Sequence, residues 1–351
     1  MRKLASIQKV SDLRPIVGAD KILCAKVLGW ELVVKKEDFK IDDLCVFVEI
    51  DSILPDRPEF EFLKPRGMRV RTVKLRGQVS QGICFPLLIL PSSYEPKLDD
   101  DVTDLLGIKK YEPAIPAQLA GEAKGVFPSF IPKTDETRVQ VLQPLLDKYV
   151  GTRCYVTEKL DGSSGTFFFN RGEFGICSRN LQFKLDKQQS WWLKLLIKLG
   201  IKKEPEKLSN TFIRLAESLN LEEKLRKLGL NIALQGEVIG EGIQGNKYGI
   251  KGQQVYFFNV FDIDKQEYYS CSRFLALMRE LETNPVPFDR FTTLKADIPA
   301  LIKLATAPST LNDKVPREGV VVRPLIETKD EKFGRVSFKV INPEFLLKYD
   351  E

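Results

Sequence analysis

The feature that most restricts the fold is the close spacing of short strand patterns near the start of the chain. They run Leu23 to Val27, Trp30 to Val34, Leu44 to Ile50, Val70 to Leu75 and Gly82 to Pro86. Turns carrying Gly, Asp or Pro, such as Lys40-Ile41-Asp42-Asp43 and Lys64-Pro65-Arg66-Gly67, separate them. So many short strands in so little chain suit a small closed β-barrel, with a small sandwich as the alternative. From Leu90 to Pro132 the chain carries irregularly spaced prolines and the acidic cluster Asp99-Asp100-Asp101, the composition of a connector.

The boundary falls near residue 105, giving an OB-like barrel over 1–105 and a second domain over 106–351. At 351 residues two domains are expected. The second segment mixes strands, at Thr166 to Phe169, Val255 to Ile263 and Gly319 to Arg323, with helical patterns. One helix is predicted over Trp191 to Leu199, its tryptophans packed, and another over Thr211 to Leu228 with Phe212, Leu215, Ala216 and Leu219 on one face. That is an α+β domain. Neither the N-terminus nor any later run has a signal-peptide or membrane-spanning pattern, so a soluble, intracellular protein of the cytoplasm or nucleus, with no membrane contact, is expected.

Histidine is absent from the whole chain. Imidazole acid/base pairs, Ser-His-Asp triads and His-ligated zinc are thereby excluded. Six dispersed cysteines form no C-x-x-C pair and read as reduced, mostly buried thiols. Chemistry must rest on lysine, arginine, carboxylates and hydroxyls. The net charge of +6 is too mild to identify a nucleic-acid partner by itself.

Local patterns say more. Thr157-Glu158-Lys159-Leu160-Asp161-Gly162-Ser163-Ser164 sets a lysine between two carboxylates, then a glycine turn, then hydroxyls ahead of an apolar strand. A lysine so placed is a candidate nucleophile if nearby charge or burial lowers its pKa, although such strings also occur at ordinary turns. Further on stand Ser178-Arg179-Asn180, Gln235-Gly236-Glu237 with Gly240-Glu241-Gly242-Ile243-Gln244-Gly245-Asn246, Phe257 to Ile263, Arg317-Glu318-Gly319-Val320-Val321, and Ser337-Phe338-Lys339-Val340. In kind and order these resemble the motifs of the covalent nucleotidyltransferases, the superfamily of ATP-dependent ligases and mRNA capping enzymes. The chain is most similar to Naegleria-type RNA ligases, in which an OB domain precedes an α+β nucleotidyltransferase domain, an ATP-grasp-like ligase fold. Phe130 to Gln140 also resembles the element leading into the lysine motif of those enzymes.

The resemblance implies an ATP-dependent RNA ligase, of RNA repair type, that joins 3′-hydroxyl and 5′-phosphate RNA ends. It implies a monomer that uses ATP with Mg²⁺ or Mn²⁺. Lys159 would carry AMP, Asp161 would orient the reacting ends, and Lys339 would contact phosphate. Glu318 and Glu237 would hold metal. Glu158, Gly162, Arg179, Phe261, Val321, Arg138 and Lys133 would line the nucleotide, with Phe261 and Val321 flanking adenine. In two respects the chain departs from the pattern. Relatives often carry a second lysine where Ile341 stands, for which Lys332, Arg335 or Lys348 are substitutes, and only twelve residues follow Lys339, so the C-terminal OB domain of capping enzymes is not expected.

In the barrel, Lys64, Arg66, Arg69, Arg71, Lys74 and Arg76 are read as an RNA-backbone track, with Arg69/Arg71 and Lys74/Arg76 on common strand faces. A solvated edge is the alternative. The competing functional readings are an ATP-dependent DNA ligase and a non-catalytic RNA-binding protein with a vestigial site.

Overall fold

A computed structural model describes residues 3–112, 121–185 and 210–349. The N-terminal unit is a curled antiparallel sheet in the order Trp30–Lys35, Ala19–Val27, Ala5–Ile16, Leu44–Val48, Ile83–Phe85. Its organising strand, Ala5–Ile16, is absent from the sequence-based reading. It pairs through Ala5–Lys9 with Leu44–Val48, and through Val10–Ile16 with Ala19–Val27. A register shift between Val10 and Asp12 lets one strand serve both halves. Consecutive buried residues at one end and exposed polar ones at the other erase the period-two signal.

The basic run does not form one strand. Lys64 and Arg66 lie in the 3₁₀ segment Pro58–Arg66, the strand begins only at Thr72, and Arg76 sits in the turn between Thr72–Leu75 and Gln78–Gln81. Arg76 and Gly77 both have positive φ, 49° and 83°, as a tight two-residue hairpin requires. The proposed common face for Lys74 and Arg76 is therefore not formed, whereas Arg69 and Arg71 flank the buried Val70.

Two sheets build the second unit. The larger runs Ala123–Val126, Leu181–Phe183, Glu173–Ser178, Ser163–Asn170, Ile232–Gly240, Gln253–Asp262, Glu267–Tyr268. One of its faces packs Leu234, Val238 and Phe257 against the helices Thr211–Ser218, Leu221–Leu228 and Cys271–Glu280. The smaller runs Thr137–Arg138, Phe338–Ile341, Gly319–Pro324, Arg153–Lys159, Phe288–Thr293, and packs Cys154, Val156, Val320 and Val322 against Leu142, Leu145, Ile298 and Leu301. Side chains alternate along a strand. Tyr155, Thr157 and Lys159 therefore leave on the face away from that core, and Gln235 and Glu237 leave away from the helices on the other sheet.

The predicted helix over Thr211 to Leu228 is two helices, because Asn220 adopts φ 52° between them. Asn210 caps the first by accepting from the Ile213 amide. The helix predicted over Trp191 to Leu199 lies outside the described residues. All six cysteines are free and buried. Among the described residues, no helix is long and apolar enough to cross a membrane.

Candidate active site

Lys159 ends its strand opposite Gly319, which brings the preceding Glu318 onto it. The Lys159 ammonium lies 2.6 Å from both Glu318 carboxylate oxygens. On the other side of Gly319 the backbone of the next strand comes close: a Cβ on Gly319 would stand 2.2 Å from the Val340 carbonyl oxygen. Gly162 is equally constrained, since its Cβ would meet the Val238 carbonyl at 2.3 Å. The motif glycines thus answer to packing between neighbouring strands.

Burial works to lower the Lys159 pKa, but Glu318, Glu237 and Asp161 outweigh it and raise it above the ordinary lysine value. Burial pushes the Glu237 carboxyl up to about 8, opposed by Lys159 and reinforced by Glu318 and Asp161. Asp161 is also raised, by burial and then by Glu318, while Lys247 pulls it back. Three carboxyl groups share this pocket with two cations, Lys159 and Lys247. Among the described residues no group of three or more His, Cys, Asp or Glu side chains is set to hold a metal. Glu237 and Glu318 still form a hard oxygen pair of the kind suited to Mg²⁺ or Mn²⁺, ions that keep waters or take phosphate oxygens for the rest of their shell.

Other predicted residues fall in three groups. Lys339 lies beside Val321 on one side and Arg138 on the other. Its charge, with those of Lys110 and Arg179, overcomes burial and holds Asp135 down to about 2. Arg179 donates to Asp135 at 3.2 Å, and Lys133 donates to the Asn180 side-chain amide oxygen at 3.0 Å. Lys110, Lys339 and Arg179 thus act on one acidic side chain, Asp135, which the sequence reading did not single out.

Two predicted nucleotide contacts are engaged elsewhere. The Glu158 carboxylate is buried on the opposite face from Lys159, accepting from the Ser309 hydroxyl at 2.6 Å and the Thr310 amide at 2.8 Å. Arg138 donates to Asp51 of the barrel at 3.1 Å. Arg69 meets the same carboxylate at 2.8 Å and lies over Tyr111. Strand alternation after Lys159 was the available signal for Glu158; nothing local points Arg138 to Asp51.

Val321 pairs with Thr157 in register and faces away from the Val320/Val322 core. Phe261, on the other sheet, is buried against Tyr268, Phe168 and Ile131. Beside Thr157 lies an apolar cavity of about 160 Å³ lined by Tyr155, Cys271, Phe274, Val286 and Phe288. The buried Thr157 hydroxyl has no hydrogen-bond partner among the described residues.

Ile341, where a second lysine was sought, packs into the barrel core with Phe345 and Leu346. Of the substitutes, Arg335 is committed to Glu327 at 2.8 and 2.9 Å and to Asn259 at 3.1 Å. Lys332 and Lys348 lie over Phe333 and Tyr349. Among the barrel cations, Lys64 pairs with Asp56 and Glu61, Arg71 is half-buried, and Arg66, Lys74 and Arg76 are exposed.

Comparison with known proteins shows the family and the fold. A family model described as RNA ligase matches residues 152–341, and one described as an OB-fold domain matches residues 4–87. No curated protein matches the chain. Among solved structures, a point mutant of Naegleria gruberi RNA ligase with ATP and Mn superimposes with a TM-score of 0.85 at 36% identity, covering 98% of each chain. The same ligase with PPi gives a TM-score of 0.85 at 37% identity, over 100% of this chain and 99% of that one. Another point mutant of it, with AMP and Mn, gives 0.85 at 37% identity over 98% of each.

Proposed function

The chain belongs to the RNA ligase family, and we propose that it is an ATP-dependent enzyme that joins a 3′-hydroxyl to a 5′-phosphate RNA end through AMP carried on Lys159. The observation that carries this reading is the Lys159 amine at a strand end, 2.6 Å from Glu318 and ringed by Glu237 and Asp161. In the first step the amine attacks the α-phosphorus of ATP, an N–P bond forms, and the bond to pyrophosphate breaks. A 5′-phosphate oxygen then takes the adenylyl group and the N–P bond breaks. Finally the 3′-hydroxyl attacks that 5′-phosphate and AMP leaves. Each step is an in-line displacement, so the protein's part is positioning and charge neutralisation.

With Glu318 on it, Lys159 rests as an ammonium and cannot attack. Glu237 and Glu318 would hold a divalent ion, Mg²⁺ or Mn²⁺, whose charge competes for Glu318 and lowers the lysine pKa. Lys339, Arg179 and Lys133 would meet phosphates, exchanging Asp135 and Asn180 for them, while Arg138 stays engaged with Asp51. Adenine would lie in the space between Phe261 and Val321, where stacking contributes about 1–3 kcal/mol per base. Exposed Arg66, Lys74 and Arg76 suit contact with the RNA backbone. We take 1–105 as the barrel domain and 106–351 as the nucleotidyltransferase domain.

Incubation with α-labelled ATP and Mn²⁺ tests the reading. Label should become bound to protein, be lost in Lys159→Ala, and be chased onto a 5′-phosphorylated RNA. Absence of label with both Mg²⁺ and Mn²⁺ would leave the RNA-binding alternative. Nicked duplexes with an RNA or a DNA 3′ strand then separate RNA sealing from DNA sealing.

A further inference from the structure

Next to the Lys159–Glu318 pair stands a second buried ion pair, outside the motifs read from the sequence. The Lys247 ammonium lies 2.6 Å from an Asp161 carboxylate oxygen, and both side chains are 12% exposed. The adjacent residue grips the same target: the Asp161 backbone amide donates to the Tyr248 hydroxyl at 2.8 Å. Two consecutive residues thus fix both the carboxylate and the backbone of Asp161.

The gripping loop is itself braced. Asn246 makes reciprocal bonds with Ile250 through its side-chain amide, at 2.9 and 3.0 Å. Asn312 donates to the Tyr248 carbonyl at 3.1 Å. The Lys247 ammonium also lies 4.8 and 4.6 Å from the ring centroids of Phe345 and Tyr349, on the helix that follows Ile341. Lys247 therefore presents its charge to the Asp161 carboxylate from a braced loop.

Asp161 is two residues from Lys159 and close enough to influence its charge. An aspartate released there has an obvious alternative partner, the Lys159 ammonium, and that pairing would pull both groups out of position. We propose that Lys247 is a positioning residue for ligation, which holds the Asp161 carboxylate away from Lys159 and oriented toward the RNA ends. The proposal rests on the ligase reading above. It differs from a purely structural role for Lys247 in requiring that its effect pass through Asp161.

The test uses the full chain and RNA whose 5′ end is already adenylylated, so that sealing is measured apart from reaction with ATP. Lys247→Met should slow sealing of this substrate by at least about tenfold, as sub-ångström misplacement of reacting groups does, with an unchanged thermal unfolding profile. Lys247→Arg should restore most of the rate. The double variant Lys247→Met/Asp161→Asn should seal no more slowly than Asp161→Asn alone, because the two act as one unit. Should Lys247→Met fail to fold, Lys247→Gln serves the same comparison.

Sealing by Lys247→Met at the parental rate overturns the proposal, as does a double variant whose losses multiply in full. Those results leave the ligase reading intact, provided the parent chain takes label from ATP. A parent chain that neither takes label nor seals overturns both.

Discussion

At the scale of single residues, the buried pocket around Lys159 gathers three carboxyl groups against two cations, Lys159 and Lys247. Glu237 shows the consequence, since burial raises its carboxyl from 4.5 to about 8. The folded protein keeps a proton that the unfolded chain gives up near pH 4.5, so this group favours folding fully below that value. The contribution is lost as pH rises through about 8. Without divalent metal, the melting temperature of the parent chain should fall between about pH 5 and 8 more than that of Glu237→Gln, which has no proton to lose. Parallel slopes for the two proteins would contradict this charge assignment. Lys159, Asp161, Glu237 and Glu318 were legible in the sequence because their residue types recur in a fixed order around one chemistry. Lys247 and Asp135 were not. Lys247 meets Asp161 across 86 positions and Asp135 meets Arg179 across 44, and no local pattern encodes such encounters.

Strands and turns set where those residues stand. Lys159 and Glu318 meet because Gly319 pairs with Lys159, and on the other side the strands of Gly319 and Val340 lie so close that the Val340 carbonyl leaves no space for a side chain. Gly319→Ala should force these strands apart, costing about 1–3 kcal/mol as overpacking does, and should sharply reduce adenylylation by moving Glu318 from Lys159. Denaturant midpoints and protein-bound label from ATP measure the two effects separately. An Ala variant with parental stability and labelling would show that the sheet yields here at little cost. Strands with a continuous buried run, Ser163–Asn170 and Gly319–Pro324, contain the strands read from sequence, because short runs such as Phe167-Phe168-Phe169 and Val320-Val321-Val322 mark them. Ala5–Ile16 was not legible, because a strand shared by two halves of a curled sheet buries different faces along its length. Nor was the break at Asn220, since the apolar period persists through Leu221 and Leu225 on the far side of the left-handed residue.

Across the whole molecule, a sequence-level division near residue 105 separates two units that the packing joins again. Barrel core residues from Leu4 to Ile108 form one cluster with Ile341, Phe345 and Leu346, which arrive from the end of the chain. Asp51, between Arg69 and Arg138, fastens the two units electrostatically, and the Gly29 amide donates to the Gln140 carbonyl at 2.8 Å. The strand Phe338–Ile341, which carries Lys339, thus runs directly into a segment that completes the barrel core. Nothing in the order of motifs announces this, because a helix's apolar residues do not name the surface that receives them. If the barrel depends on that segment, the two units unfold together. Phe345, fully buried, is the decisive probe. Phe345→Ala should cost about 3–5 kcal/mol, the range for emptying a buried aromatic site. Calorimetry should show a single endotherm displaced to lower temperature for the entire protein. Two endotherms, with the barrel's unmoved, would mean that the barrel stands without the C-terminal helix and that the contact is only a docking surface.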